Sequence, residues 1–401
     1  MIYIFNIEKT NIKKIFCLII FTIDFLYIFI ILTIFFKKYI IKKMKIKKIE
    51  LNNFRNYTNS QIEFQDGVNF IVGKNAQGKT NLLESLYLIS VGKSPKNSKE
   101  KQLIKFGEER ARIDVDFVCN AGNKNIKMYL DKANKKAIKI NNLNILKLTE
   151  LVGILSVVYF SPDEMKLIKE VPEDRRNFLD VSISQFDKPY LYNLLRYDKV
   201  LKQRNAILKS FDTPQTKIEQ LKLFTPQLIE IAEKIIEKRI EFIEKLKNFA
   251  KIIHKTITID ENLDIEYSYK KQENLSIRQD LQNQFDKSLN KELELGYTCV
   301  GPHRDDMIFK INSLDCRQFA SQGQQRTVAL VVKLSLMEVI KQEIGEYPVL
   351  LLDDVLSELD DDRQNRLLNL TKQYQTLITC TALPRINFKA NIIEIKNGTK
   401  I

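Results

Sequence analysis

Residues 73 to 80 read GKNAQGKT, set directly after the apolar run VNFIV and directly before NLLESLYLISVG. The pattern G-x-x-x-x-G-K-[ST] between a strand and a helix gathers backbone N–H groups around an anion and places an ammonium and a hydroxyl beside it. A nucleotide's phosphates fit such a loop. Gly73, Lys74, Asn75, Ala76, Gln77 and Gly78 would cradle the α and β phosphates, Lys79 would reach the β and γ phosphates as a catalytic cation, and Thr80 would ligate Mg²⁺. Far along the chain, VLLLDD (349–354) is an apolar strand ending in two carboxylates. Desolvated acids at a strand end need a cation or donors. In a nucleotide hydrolase Asp353 would hold Mg²⁺ and Asp354 would polarise the attacking water as the second catalytic group. The SELDDD that follows puts Ser357, Glu358, Leu359 and Asp360 in a loop able to touch a neighbouring subunit.

Between these two motifs stands SQGQQR (321–326), a small polar turn opening onto TVALVVKLSLMEVI. Unpaired N–H groups and the helix dipole converge at such a turn and can hold a phosphate, yet no lysine stands in it. The chain already has a complete phosphate loop, so the phosphate held here would be a different one.

The elements that must position these residues are legible in outline. Strand-like runs at 45–51 and 61–64 precede Val68 to Val72, and further strands are expected at 111–119, 126–130 and 152–160. From about Leu191 to Ile253 the chain is long, charged and helical, broken once at Asp212 to Pro214. Leu228, Ala232, Ile235, Phe242, Leu246, Phe249 and Ile253 form one apolar stripe, which reads as helix packing in a helical hairpin. Strand and loop texture returns at Leu295. The fold class is therefore α/β, a phosphate-loop ATPase lobe (44–160 and 295–401) with a helical second lobe inserted at 161–294.

Composition agrees with this organisation and narrows the partner. The 401 residues are 44% hydrophobic and 28% charged, with a net charge of +14 that favours an anionic partner. Five scattered cysteines without a CxxC pair, and only two histidines, His254 and His303, support neither a disulfide framework nor a zinc site. A reducing, cytoplasmic setting is the default. Residues 15–36 are a separate matter, with Asp24 their only charge and a length sufficient to cross a bilayer. Because Met44 begins a strand-like run and all the ATPase motifs follow it, residues 1–43 read as an extension upstream of the true start, the alternative being a membrane anchor. Removing them leaves the chain basic.

Six stretches occur in order: MKIKKIELNNFRNY, GKNAQGKTNLLESLYLISVGKSPK, VVYFSPDEMKLIKEVPEDRRNFLD, GPHRDDMIF, FASQGQQRTVALVVKLSLMEV and PVLLLDDVLSELDDDR. Together they resemble the RecF family, bacterial recombination mediators among the ATPases of the ABC and SMC class, over about 44 to 395. The resemblance implies that Ser321, Gln322, Gly323 and Gln324 form the signature turn that binds the γ-phosphate held by a partner copy. It also implies ATP and Mg²⁺ as cofactors, an ATP-dependent homodimer, binding to double-stranded DNA and gapped junctions, slow hydrolysis that separates the dimer, and RecR and RecO as partners in loading recombinase. Departures from the class pattern are Gln322 where SMC-class signatures have glycine, and the absence of a histidine after the second acidic motif, which leaves a switch role to Thr379 or Thr381. A Q-loop glutamine is not placed in VVYFSPDE. The lysine-rich GKSPKNSKEKQLIK (92–105) is a candidate DNA contact, and GPHRDD is read as fixing the junction between lobes. The rival function is a membrane-tethered ABC-type ATPase anchored by residues 15–36.

Overall fold

The computed structural model describes residues 43–96, 98–133, 136–258, 261–269, 271–384 and 388–400. Residues 15–36, and the expectation of an extension or anchor there, lie outside them. Among the described residues no helix is long and apolar enough to cross a membrane.

Three sheets carry the strands β1 (Lys45–Phe54), β2 (Tyr57–Glu63), β3 (Val68–Val72), β4 (Arg110–Cys119), β5 (Gly122–Asp131), β6 (Lys136–Ile140), β7 (Leu143–Ile145), β8 (Val157–Phe160), β9 (Leu263–Tyr267), β10 (Met307–Ile311), β11 (Leu314–Asp315), β12 (Val349–Leu352), β13 (Thr376–Cys380), β14 (Asn391–Lys396) and β15 (Thr399–Lys400). The long helices are α1 (Lys79–Val91), α2 (Pro172–Ser184), α3 (Lys188–Lys209), α4 (Pro214–Ile257), α5 (Ile277–Leu295), α6 (Gln322–Ile344) and α7 (Asp361–Thr371).

One six-stranded sheet is antiparallel, in the order β2-β1-β4-β5-β6-β7, and its strands alternate buried and exposed residues as a half-covered sheet should. The other, β15-β14-β3-β13-β12-β8, is parallel from β14 to β8, and VLLL and, apart from the buried Asn69, VNFIV at its centre are apolar without alternation. Helix α1 is covered on both sides. Its Leu82, Leu83, Leu86 and Ile89 share one core with Ile49, Leu51, Ile113 and Val115 of the first sheet and Ile71, Leu351 and Leu377 of the second. That burial on all sides orients the first turn of α1, and with it Lys79 and Thr80.

The helical section forms the expected hairpin, α3 and α4, broken at Asp212–Pro214, with Thr213 capping α4. Leu228, Ala232, Ile235, Phe242 and Leu246 of the stripe are fully buried, and Phe249 and Ile253 pack at its margin. This face joins Val328, Val331, Met337 and Ile340 of α6 and Leu350 of β12 in a single core, so the helical section and the parallel sheet share their apolar interior.

One expectation differs from what forms. The strand read at 152–160 is confined to Val157–Phe160, because Gly153 adopts φ 85 in a turn where a Cβ would come within 2.6 Å of the Gln185 carbonyl oxygen. Helix α5 lies in the part of the helical stretch 161–294 beyond the long run at 191–253. Leu281 and Phe285 are buried and Ile277 packs at the margin of the core, while Ser276 and Gln279 close a capping box at its start.

Candidate nucleotide site

Gly73 to Gly78 connect the buried strand β3 to α1. Both glycines are required by their neighbours. A Cβ on Gly73 would lie 2.4 Å from the Ile395 carbonyl oxygen of β14, and Gly78 takes φ 111 with the Asn56 amide 2.6 Å from where a Cβ would stand. Gly78 caps α1 without any side-chain hydrogen bond, and no acid stands in the first turn. The first-turn N–H groups are thus left to an anion, which is the arrangement that fits a phosphate. Lys79 reaches across the loop, its ammonium donating to the carbonyl oxygens of Gly73 at 2.6 Å and Lys74 at 3.0 Å.

Several groups that the motif does not contain hold this loop. The Asn56 side chain donates to the Gln77 carbonyl (3.0 Å) and accepts from Asn81 (2.9 Å), and the Tyr57 hydroxyl donates to the Gly78 carbonyl (3.0 Å). The backbone N–H groups of Asn397 and Gly398, in the β14–β15 turn, donate to the Gln77 side-chain and main-chain oxygens at 2.7 and 2.9 Å. A Cβ on Gly398 would sit 2.5 Å from the Asn56 carbonyl oxygen, so the turn can approach only as glycine.

Across the sheet, the two residues assigned to Mg²⁺ meet. Thr80 Oγ1 donates to Asp353 Oδ1 at 2.9 Å. Asp353 is 4% exposed and also accepts from Thr379 Oγ1 (2.8 Å, on Oδ1) and the Tyr159 hydroxyl (3.1 Å, on Oδ2). Burial, then the Asp353 charge, push the Tyr159 phenol well above its ordinary pKa, so it stays a donor. A hydroxyl and one carboxylate are the hard-oxygen pair that Mg²⁺ takes from protein when phosphate and water complete its shell. Among the described residues no cluster of three or more His, Cys, Asp or Glu could hold a metal.

Asp354 has φ 52, a left-handed conformation rare outside glycine and costing roughly 1–2 kcal/mol. Its N–H donates to Thr379 Oγ1 at 2.8 Å. Among the described residues the half-buried Asp354 carboxylate has no hydrogen-bond or ion-pair partner, which leaves it available to a water. Thr379 is fully buried beneath both acids and ties them together as a strut. Cys380, next along β13, has its thiol pushed up to about 11 by burial and is inert.

Ser321 to Gln324 stand apart from this loop. Ser321 caps α6, its Oγ accepting from the Gln324 N–H (3.3 Å) while Gln324 Oε1 accepts from the Ser321 N–H (2.8 Å). Gln324 also donates to Glu261 at 2.8 Å. Ser321, Gln322 and Gly323 are exposed. Among the described residues no hydrogen bond or ion pair joins this turn to Gly73–Thr80. Asp360, expected in a subunit-facing loop, caps α7 by accepting from the Arg363 N–H at 2.9 Å.

GPHRDD does fix a junction. His303 Nε2 donates to the Thr298 carbonyl (3.1 Å) and Nδ1 accepts from the Tyr197 hydroxyl of α3 (2.7 Å), and burial drives its pKa down to about 4. Asp306 receives the Arg175 guanidinium of α2 at 2.6 and 2.9 Å, and the Asp305 carbonyl accepts from Arg176 at 2.9 Å.

A phosphate loop and an acid-ended strand meeting on one parallel sheet, with a capped Ser-x-Gly-Gln turn opening α6 and a helical insertion between, define an ATPase head of the ABC and SMC class. The family model described as RecF/RecN/SMC N terminal domain matches residues 45–399. The "DNA replication and repair protein RecF" of Clostridium kluyveri is 46% identical over 352 residues, covering 88% of this chain and 96% of that protein. That of Bacillus velezensis is 41% identical over 370 residues, covering 89% and 100%. A solved structure of the recombination mediator RecF with ATP, in the RecFOR pathway, superposes with a TM-score of 0.82 at 38% identity, over 90% of this chain and 98% of that one. An SMC head bound to the C-terminal winged-helix domain of ScpA shares the fold, with a TM-score of 0.54 at 16% identity over 88% and 95%. The chain belongs to the RecF family of DNA replication and repair proteins.

Proposed function

We propose that the chain is an ATP-driven clamp for recombinational repair. Two copies bury ATP between Gly73–Thr80 of one and Ser321–Gln324 of the other, close on double-stranded DNA near gaps, and separate after slow hydrolysis. In that role they assist RecO and RecR in loading recombinase, in the cytoplasm. The observation that carries the reading is the separation of two half-sites on one chain. The loop around Lys79 is built for phosphate on one side, and among the described residues no hydrogen bond or ion pair joins it to the exposed, capped helix start with the signature sequence.

Within each half, Lys79 neutralises phosphate charge and the free N–H groups at the start of α1 orient it. Thr80 and Asp353 would hold Mg²⁺, which supplies charge neutralisation across the β and γ phosphates. Asp354 orients the attacking water from its constrained backbone. The exposed Ser321 hydroxyl and the first N–H groups of α6 donate to the partner's γ-phosphate, so hydrolysis removes what both copies grip.

The test is the mass of the particle in solution, made with Asp354→Asn to slow turnover. ATP is expected to convert monomer to dimer, duplex DNA to strengthen the shift, and Ser321→Arg to abolish it while a single head still binds ATP. A Ser321→Arg protein that dimerises with ATP as the parent does would refute the shared site.

A further inference from the structure

The β1–β2 turn carries an arginine that the nucleotide chemistry does not use. Arg55 is held in a left-handed conformation, φ 53, and so is Asn53, φ 50. Strained backbone of this kind persists only where the surroundings fix it. Here Arg55 Nε and Nη2 donate to the two carboxylate oxygens of Glu84 at 3.0 and 2.7 Å. Glu84 is fully buried and lies one turn beyond Thr80 on α1. Arg55 Nη2 also donates to Ser98 Oγ (2.7 Å) and Nη1 to the Gln102 carbonyl (2.8 Å), and Ser94 Oγ donates to Glu84 at 2.6 Å. The guanidinium fork thus ties the helix of the phosphate loop to the stretch that follows it.

Along that stretch each anchor has a lysine beside it. Lys93 precedes Ser94, the Lys96 N–H donates to Ser94 Oγ (3.1 Å), Lys99 follows Ser98, and Lys101 precedes Gln102. All four lysines are exposed. Among the described residues none of their ammonium groups has a carboxylate partner, whereas Glu100 in their midst is taken by Lys136 at 2.7 Å. An uncompensated row of ammonium groups on fixed backbone matches a regular line of phosphates, which a duplex presents.

We propose that Lys93, Lys96, Lys99 and Lys101 grip the phosphates of duplex DNA, and that the Arg55–Glu84 pair carries this hold to α1, so that DNA regulates the nucleotide site. The inference rests on the duplex-binding reading above. Phosphates bound across the four lysines favour the arrangement in which Ser94, Ser98 and Gln102 stay docked on the Arg55–Glu84 fork. That arrangement is the one that keeps the first turn of α1 aligned, so Arg55 and Glu84 act as positioning residues.

Duplex affinity of the full chain, measured with ATP against salt concentration, tests the surface. Changing the four lysines to glutamine is expected to leave ATP binding unchanged and to lower the slope of log affinity against log salt by about 0.9 for every phosphate no longer neutralised. An unchanged slope, or a weakening confined to single-stranded DNA, overturns the surface. A parent protein that fails to bind duplex with ATP sinks the clamp reading itself, so the two failures are distinguishable. For the joint, Glu84→Gln is expected to keep duplex binding within about threefold while removing most of the stimulation of ATP turnover by duplex, the coupling being a separate quantity from either affinity. Ser98→Ala, which removes one anchor only, should move the stimulation in the same direction by less. Undiminished stimulation in both variants, or a parent whose turnover ignores duplex, overturns the regulation.

Discussion

Thr379 is the residue on which the two acids of the site depend together, and replacing it by valine isolates that dependence. Valine keeps the shape and strand preference of threonine at the centre of β13. What goes is the hydroxyl that donates to Asp353 Oδ1 and accepts from the Asp354 N–H, both at 2.8 Å. Losing a hydrogen bond to a charged acceptor costs about 1.5–3 kcal/mol, and a buried N–H left without an acceptor about 1–3 kcal/mol. Asp353 retains Thr80 and Tyr159 as donors, which softens the first loss, so a net destabilisation of about 3 kcal/mol is expected. A chain of this size loses about 2 °C of melting temperature per kcal/mol, giving a fall of about 6 °C. The left-handed Asp354 loses the bond that fixes it, and turnover is expected to drop at least about tenfold, as misplaced catalytic groups do. ATP affinity should stay within about threefold, because Lys79 and its loop are untouched. Thr379→Ser restores the hydroxyl and should restore both readings. A valine variant that melts within about 1 °C of the parent and hydrolyses ATP at the parental rate would refute the strut.

Two further outcomes are expected, one at His303 in the lobe junction and one at a buried ion pair within the helical lobe. Burial lowers the pKa of His303 from 6.5 to about 4. Between those values the unfolded chain binds the proton and the folded one does not, so stability is full above pH 6.5 and falls as pH drops towards 4, by an amount on the order of 2–3 kcal/mol. Melts of the parent and of His303→Gln across that range should converge towards pH 4, and parallel curves would count against the assignment. Arg204 and Glu292, 1% and 0% exposed at the side chain, pair at 2.6 Å. Arg204→Met leaves the Glu292 carboxylate buried and should cost about 3–5 kcal/mol, most of which is regained by adding Glu292→Gln. A single variant that melts like the parent would show the pair to be structurally idle.

The contiguous parts of the site were legible because a phosphate loop is a local object: one turn, one lysine and one hydroxyl within eight residues of sequence. Asp353 and Asp354 could be read for the same reason, as acids ending an apolar strand. The supports were not. Asn56 and Tyr57 lie in a stretch whose sequence shows only a turn, Tyr159 reaches Asp353 from β8, and Asn397 and Gly398 close on Gln77 from a different strand again. Their roles come from strand neighbours fixed by sheet order, which no short window contains. Thr379 could be noticed but its two contacts could not, since a threonine reads alike whichever acid its hydroxyl meets. The bounds of α5 within the helical lobe are faint because its apolar face is narrow, Leu281 and Phe285 with Ile277 at the margin, although Ser276 followed by Gln279 is a capping signal.

The order β15-β14-β3-β13-β12-β8 has a consequence for how the protein is made. β3 is flanked by β13 and β14, whose residues lie more than 300 positions later, as the Asn69–Asn391 hydrogen bond shows. At a synthesis rate of about 5–20 residues per second, β3 is exposed for roughly 15–60 s before either partner strand exists. During that interval its apolar edges are an open template for foreign strands. The glycine loop therefore takes its final form late, and its capacity to hold phosphate matures only after β13 and β14, more than 300 residues further along, have been made.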